Sequence, residues 1–451
     1  MGTAPPDGPS IGRAGQTEAA SRAFIMGTRR EFFGGIALGL GGWDALPAAG
    51  DPGVLPGEVP PPEAPAGPDV GSLYPFIRGQ VPRGEPALSF LREEFGEWPA
   101  WKKQARGKLL DLLHYDPPPC DPRPEVIARI DCGDHVREEV RFQTTPDIRV
   151  PASVLIPKGL KAPAPAVVAL HDHGGMYLWG RQKLIDLDAE PAPLADFKRR
   201  YYAGRGIASE LARRGFVVVV IDMFYWGDRR MILDGDPPDW RDRPASIAAA
   251  QVDAFNRRAG ESEPLVARTI YAAGFTWAGV VFRDDIRTVD YLVTRPEVDP
   301  ARIGCVGLSV GGLRACHLAA LDDRIKAAVV VGWMASFPDQ LRSHVRNTIG
   351  FTKLVPGLYR YLDYPDVASL ALPSALLVIN GSRDKLFDLD GVRKCFAKLS
   401  ACYAKAGHPD RFRGRLYDTP HEFNEAMQAE AWRWLGEHLG PGGPPGVNPP
   451  P

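Results

Sequence analysis

Arg302-Ile303-Gly304-Cys305-Val306-Gly307-Leu308-Ser309-Val310-Gly311-Gly312 is the stretch whose reading decides the fold. An apolar run climbs to Gly307-x-Ser309-x-Gly311, and apolar positions at helical spacing (Leu313, Cys316, Leu318, Leu321) begin directly behind it. Strand, sharp turn and helix in that order expose a serine hydroxyl at the top of a sheet. The turn strains the backbone at the serine, so the positions two before and two after it must be small. Gly307 and Gly311 meet that demand. A helix starting at Val310 aims its first N–H groups at the place where negative charge on an oxygen would develop.

Working outward, near-uniform apolar runs alternate with helical patterns. Ala166 to Leu170, Phe216 to Ile221, the run into Ser309, Ala327 to Val331, Ala375 to Ile379 and Phe412 to Tyr417 read as strands. Helices are expected at Ile207 to Arg213, Val281 to Val293, behind Ser309, at Gly391 to Ala404 and at Glu422 to His438. This rhythm predicts an α/β class with a mostly parallel sheet covered by helices on both faces. Upstream, Val126 to Ile130, Val136 to Gln143 and Arg149 to Ile156 alternate and predict antiparallel strands at one edge. Two stretches break the alternation, 226–277 and 335–372, and are expected to form caps above the sheet.

The main domain is expected over 86–439, with a helical N-terminal extension over 86–120. Residues 50–85 are rich in Pro, Gly and Ala and read as an extended linker. Residues 440–451 are a Gly/Pro tail with nothing to bury. Within 1–49, Arg29-Arg30 precede the short, glycine-rich apolar run Gly34 to Gly42, which resembles a twin-arginine export signal. That implies the export machinery as a partner and a periplasmic or extracellular location. No stretch is long and apolar enough to predict a stable membrane span. The formal net charge of -1 over 451 residues gives no argument for nucleic acid. The six cysteines show no metal-ligand spacing, and no cofactor is expected.

In a parallel sheet the ligand site lies beyond the carboxyl ends of the strands. Ser309 ends one strand. The strand Ala375 to Ile379 runs into Asn380-Gly381-Ser382-Arg383-Asp384, and Phe412 to Tyr417 runs into Asp418-Thr419-Pro420-His421. A serine hydroxyl needs a base within hydrogen-bond reach, and the base needs a group to orient it. Ser309, Asp384 and His421 are therefore the candidate catalytic set, Asp384 standing nearest its strand end ahead of Asp388 and Asp390. The loop after Ala166 to Leu170 reads His171-Asp172-His173-Gly174-Gly175, and the backbone amides of His173 and Val310 are the expected oxyanion donors. His171-x-His173 also offers two ligands to a metal, but no third is placed by sequence, and no metal is expected.

The His171 to Gly175 loop, the segment Asp222 to Arg229, the helix bearing Asp285, Arg287 and Asp290, and the Gly307 to Gly312 elbow resemble the α/β-hydrolase superfamily. They are most similar to its dienelactone-hydrolase-like and acetyl-xylan-esterase-like branches, over roughly Val136 to His438. The resemblance implies the α/β-hydrolase fold, the chain order nucleophile, acid, histidine, and ester hydrolysis through an acyl-enzyme. It points to a carbohydrate acetyl ester as substrate. Two departures limit it. Dienelactone hydrolases proper carry cysteine where this chain has Ser309, and Asp172 stands where the common loop pattern has glycine. A His-Glu pair of acetyl xylan esterases is matched by His421-Glu422, which reads equally as a helix start.

Phe224, Tyr225, Trp226, Trp240, Trp277 and Trp333 cluster near strand ends and in the insertions, as pocket lining or as cap core. Two other functional classes remain open from sequence: a serine peptidase on the same fold, and a non-catalytic binding protein that keeps it.

Overall fold

The computed structural model describes residues 1–2 and 67–440. The twin-arginine segment, most of the expected linker and all but Gly440 of the C-terminal tail lie outside the described residues. One nine-stranded sheet organises the rest, in the order β1-β2-β3-β5-β4-β6-β7-β8-β9. The strands are β1 (Glu125–Asp131), β2 (His135–Thr145), β3 (Ile148–Pro157), β4 (Ala164–Leu170), β5 (Val217–Ile221), β6 (Val298–Leu308), β7 (Ile325–Val331), β8 (Ala375–Gly381) and β9 (Phe412–Tyr417). The first three pair antiparallel and join β5 antiparallel; every pair from β5 to β9 is parallel.

Alternate residues of the central strands enter opposite layers. Val168 and Leu170 of β4 face one apolar layer with the helices Trp98–Leu113, Trp277–Leu292 and Val310–Leu321. Val167 and Ala169 face the other, with Ile207–Arg213 and Glu425–Leu439. Burial on both faces is why these strands read as continuous apolar runs rather than alternating ones. The chain moves from β4 outward to β5, then returns to β6 on the other side of β4 and continues away. The carboxyl ends of β4 and β6 therefore flank the point where strand order reverses, the place a parallel sheet leaves open for a ligand.

Three local expectations are corrected. The helical extension expected over 86–120 is a helix only over Trp98–Leu113. Pro99 stands in the first turn of that helix, where a missing N–H is tolerated. Before it, Leu88 and Phe90 are buried from irregular backbone, and Leu88 is held by the Tyr361 carbonyl at 2.8 Å. The described part of the expected linker contains a short helix, Tyr74–Gln80, again with proline in its first turn. The C-terminal helix starts at Glu425, where the Asn424 side chain accepts from Met427 N; Glu422 lies before it.

The first insertion holds a helix of 24 residues, Ala249–Ala272, with Pro264 inside it. The second is built from single turns at Phe337–Gln340, Val345–Thr348 and Phe351–Lys353, and a capped helix at Tyr364–Ser369. Among the described residues no single helix is long and apolar enough to cross a membrane.

Candidate active site

Ser309 follows β6 with φ 60° and ψ −121°, a conformation that costs a non-glycine residue free energy. The packing around it explains why the turn holds. A Cβ on Gly307 would overlap the Gly311 backbone, and one on Gly311 would overlap the Leu170 carbonyl oxygen at the end of β4. Strand and helix thus close to glycine distance on both sides of the serine. Ser309 N donates to Val331 O at 2.8 Å, which ties the turn to β7, while Ser309 itself stays partly accessible among buried neighbours.

On the β7 side the expected partners meet. Asp384, after β8, and His421, after β9, are 37 residues apart in sequence, and Asp384 Oδ2 lies 2.6 Å from His421 Nδ1. The second Asp384 oxygen accepts from Leu386 N at 2.9 Å. Side-chain exposure is 1% for Asp384 and 18% for His421, so the carboxylate is shielded while the imidazole keeps part of its surface open. The ring lies against Gly332, the residue after β7, which has φ +57°; a Cβ there would stand 3.0 Å from His421 Cε1. Gly332 is the neighbour of Val331, the residue that holds the Ser309 amide. The two competing aspartates have other tasks. Asp388 caps the helix Leu389–Lys405 through Gly391 N at 2.7 Å, and Asp390 pairs with Arg393 at 2.9 Å.

On the β4 side the His171 to Gly175 loop is clamped from below. Lys183 Nζ donates to the carbonyls of Asp172 at 2.9 Å and His173 at 3.0 Å. In a trans peptide the N–H points opposite the preceding C=O. Fixing the Asp172 carbonyl onto Lys183 therefore turns the His173 N–H away from it. Asp172, the departure from the glycine pattern, is buried and accepts from Tyr202 OH at 2.5 Å and lies 3.4 Å from Lys183 Nζ. It ties the loop to the helix Ala192–Tyr202. Sequence gave no sign of Lys183 or Tyr202; only the unexplained acid at Asp172 could have prompted a search for a buried cation.

Both loop histidines have their ring nitrogens assigned by neighbours. His171 Nε2 accepts from Met223 N at 3.0 Å, so Nδ1 carries the proton and donates to the Asp172 carbonyl at 2.8 Å. Burial, with the Lys183 and Arg314 charges nearby, holds this imidazole well below its usual range and keeps it neutral. His173 Nδ1 accepts from Gly175 N at 3.0 Å, so Nε2 donates to Glu263 Oε1 at 3.0 Å. No lone pair on either ring is left for a metal, and no group of three or more potential ligands occurs among the described residues. Glu263 also accepts from Tyr177 OH at 3.0 Å. Burial pushes the Glu263 carboxyl up, but these hydrogen bonds outweigh it and hold the group below its ordinary value.

Glu263 belongs to the cap helix Ala249–Ala272, and one face of that helix grips the loop after β4 twice and the loop after β5 once. Asn256 accepts from Tyr177 N at 2.9 Å, the Ala259 carbonyl accepts from Tyr225 OH at 2.8 Å, and Glu263 holds His173. The aromatic cluster divides accordingly. Trp226, Trp277 and Tyr225 are buried in the seam between cap and sheet, and Trp333 is buried beside Phe387. Phe224 and Trp240 remain partly exposed. Beneath the elbow, Arg314 of the helix Val310–Leu321 forms a two-pronged pair with Asp285 at 2.6 and 3.0 Å and also reaches the His171 carbonyl at 3.3 Å.

Residues 202–352, which include the elbow, match the model of the Dienelactone hydrolase family. "Putative hydrolase YtaP" of Bacillus subtilis (strain 168) is 29% identical over 291 residues, covering 64% of this chain and 84% of that protein. Among solved structures, a putative acetyl xylan esterase from Bacteroides fragilis NCTC 9343 superposes with a TM-score of 0.57 at 18% identity, over 77% of this chain and 82% of that one. A glucuronoyl esterase from Solibacter usitatus superposes with a TM-score of 0.54 at 14% identity, over 79% and 98%. Likeness at such identities establishes the fold.

Proposed function

We propose that this chain, an α/β-hydrolase by fold with a dienelactone-hydrolase-family segment over residues 202–352, cleaves carboxylic esters through a covalent acyl-enzyme on Ser309. The observation that carries the reading is the Asp384–His421 hydrogen bond of 2.6 Å, held over Gly332 beside the strained Ser309 turn.

In this mechanism His421 Nε2 takes the Ser309 hydroxyl proton as Oγ attacks the ester carbonyl carbon. Asp384 keeps the proton on Nδ1 and stabilises the imidazolium that forms. The tetrahedral oxyanion accepts from the Val310 amide, at the helix N-terminus, and from the His173 amide. Collapse breaks the bond to the alcohol, and the imidazolium returns its proton to that leaving oxygen. Water activated by His421 then releases the acid and restores Ser309. The Lys183 clamp and the tight Gly311 approach support the two donors, because each fixes a peptide plane before the reaction begins.

Carbohydrate acetyl esters are the favoured substrates, on the resemblance to acetyl xylan esterases and the aromatic cap. Acetylated sugars, aryl acetates and longer acyl esters compared by kcat/KM test this choice; a preference for long acyl chains contradicts it. We also read the Arg29-Arg30 segment as directing export to the periplasm or beyond. Processing and export that persist when both arginines are replaced by lysine would contradict that reading.

A further inference from the structure

Asp323 gathers three cations just before β7, at the end of the sheet opposite Ser309. Its carboxylate pairs with Lys102 at 2.7 Å and, as a two-pronged pair at 2.6 and 3.0 Å, with Arg106. Its backbone carbonyl accepts from Lys326 Nζ at 2.8 Å. Lys102 and Arg106 stand one turn apart on the helix Trp98–Leu113, and Lys326 belongs to β7. One carboxylate thus answers two cations and leaves the third unmatched. The Arg106 hydrogen bonds, joined by Lys102, hold the Asp323 carboxyl well below the ordinary range, so it stays ionised.

These side chains line a cavity of about 840 Å³, whose wall also carries Lys103, Arg411, Trp98 and Leu110. Lys103 is exposed and forms no ion pair among the described residues. Arg411 faces Asp410 at 3.9 Å, beyond hydrogen-bond reach. Five cationic side chains therefore meet one carboxylate in this wall, whereas the whole chain has a formal net charge of -1. Such local imbalance focuses a positive potential in the cavity. Lys102 is buried, and keeping an ammonium there is costly. An ammonium has three N–H donors and a guanidinium five. Lys102 uses two, on Asp323 and on the Leu372 carbonyl at 2.5 Å. Arg106 uses three, the third on the Ala320 carbonyl at 2.8 Å, and Lys326 uses one. Each of the three keeps a donor over.

We propose that this cavity binds a soluble phosphate monoester. A phosphate group brings close to two charges and three strong acceptor oxygens, which suits several cations with donors to spare. A carboxylate, with one charge and two oxygens, leaves more of the cluster unserved. The volume far exceeds a bare phosphate and falls in the range of small-molecule sites. Trp98 and Leu110 offer an apolar wall to the organic body of the ligand. Asp323 already fixes Lys102, Arg106 and Lys326, so binding does not first have to order them. Ser309, Asp384 and His421 take no part, and the inference stands whether or not they cleave esters.

The test titrates the full chain by calorimetry, at constant ionic strength, with phenyl phosphate, inorganic phosphate and benzoate. Sedimentation with phosphatidylcholine vesicles containing phosphatidic acid distinguishes a lipid headgroup from a soluble ligand. Phenyl phosphate is expected to bind once per chain, tighter than benzoate or inorganic phosphate by about tenfold or more. Arg106→Gln and Lys326→Gln are each expected to weaken it by about fivefold or more. No binding of phenyl phosphate, equal binding of benzoate or inorganic phosphate, or an affinity unchanged in both variants would overturn the proposal. Capture by the phosphatidic acid vesicles without binding of phenyl phosphate would overturn it too, because the cluster would then be a membrane-facing patch. If Arg106→Gln does not fold, Lys103→Gln, a change at an exposed position, takes its place and decides on the same terms.

Discussion

Gly332 and His421 occupy adjoining space so closely that a single methyl group on Gly332 would stand 3.0 Å from His421 Cε1. The backbone just past β7 is thus the floor on which the imidazole rests. Gly332→Ala adds that methyl at φ +57°, where a side chain is itself disfavoured by about 1–2 kcal/mol. It is expected to tilt the ring and lower kcat/KM for p-nitrophenyl acetate by about tenfold to a hundredfold, since a displacement near 1 Å can cost that much. Steady-state kinetics with a parallel thermal melt check it. Unchanged kinetics would mean that the ring position is not critical.

Asp384→Asn keeps the shape of the side chain but can present an N–H to Nδ1 and favour the wrong imidazole tautomer. The expected loss in kcat is about ten-thousandfold, with KM little changed. Asp388→Asn and Asp390→Asn, as helix-end substitutions, are expected to leave kcat within about twofold. A loss at Asp388 or Asp390 matching that at Asp384 would reassign the acid.

Lys183→Met removes the donor that fixes the Asp172 and His173 carbonyls and leaves Asp172 as a buried charge held by Tyr202 alone. A loss of about 3–5 kcal/mol in stability is expected, the scale of breaking a buried pair. In the protein that remains folded, kcat is expected to fall about tenfold or more as one oxyanion donor loses its aim. Urea melts and kinetics below the transition read the two effects separately. Full stability with full kcat would show that the clamp does not position the loop.

These contacts divide what was legible in the sequence from what was not. The elbow could be read because close backbone approach demands glycine at Gly307 and Gly311, and the strands because burial on both faces makes them uniformly apolar. The contact between Asp384 and His421 could be expected because strand ends in a parallel sheet share one edge. The Lys183 clamp and the Glu263 grip could not. Each joins a cap or loop residue to a carbonyl or ring far along the chain, and such pairing leaves no periodic trace. The helix Ala249–Ala272 escaped for a related reason: Gly260 and Pro264 look like breakers, yet the helix is held by its side-chain grip on the loop below.

The central claim is that Ser309 forms the covalent intermediate, and active-site labelling tests it most directly. The full chain is treated with a serine-directed phosphonate, and the modified peptide is located by mass spectrometry. The account predicts one phosphonate per chain on Ser309, loss of p-nitrophenyl acetate turnover in step with labelling, and no label in Ser309→Ala. A label on any other serine, or turnover that survives full modification of Ser309, would contradict it.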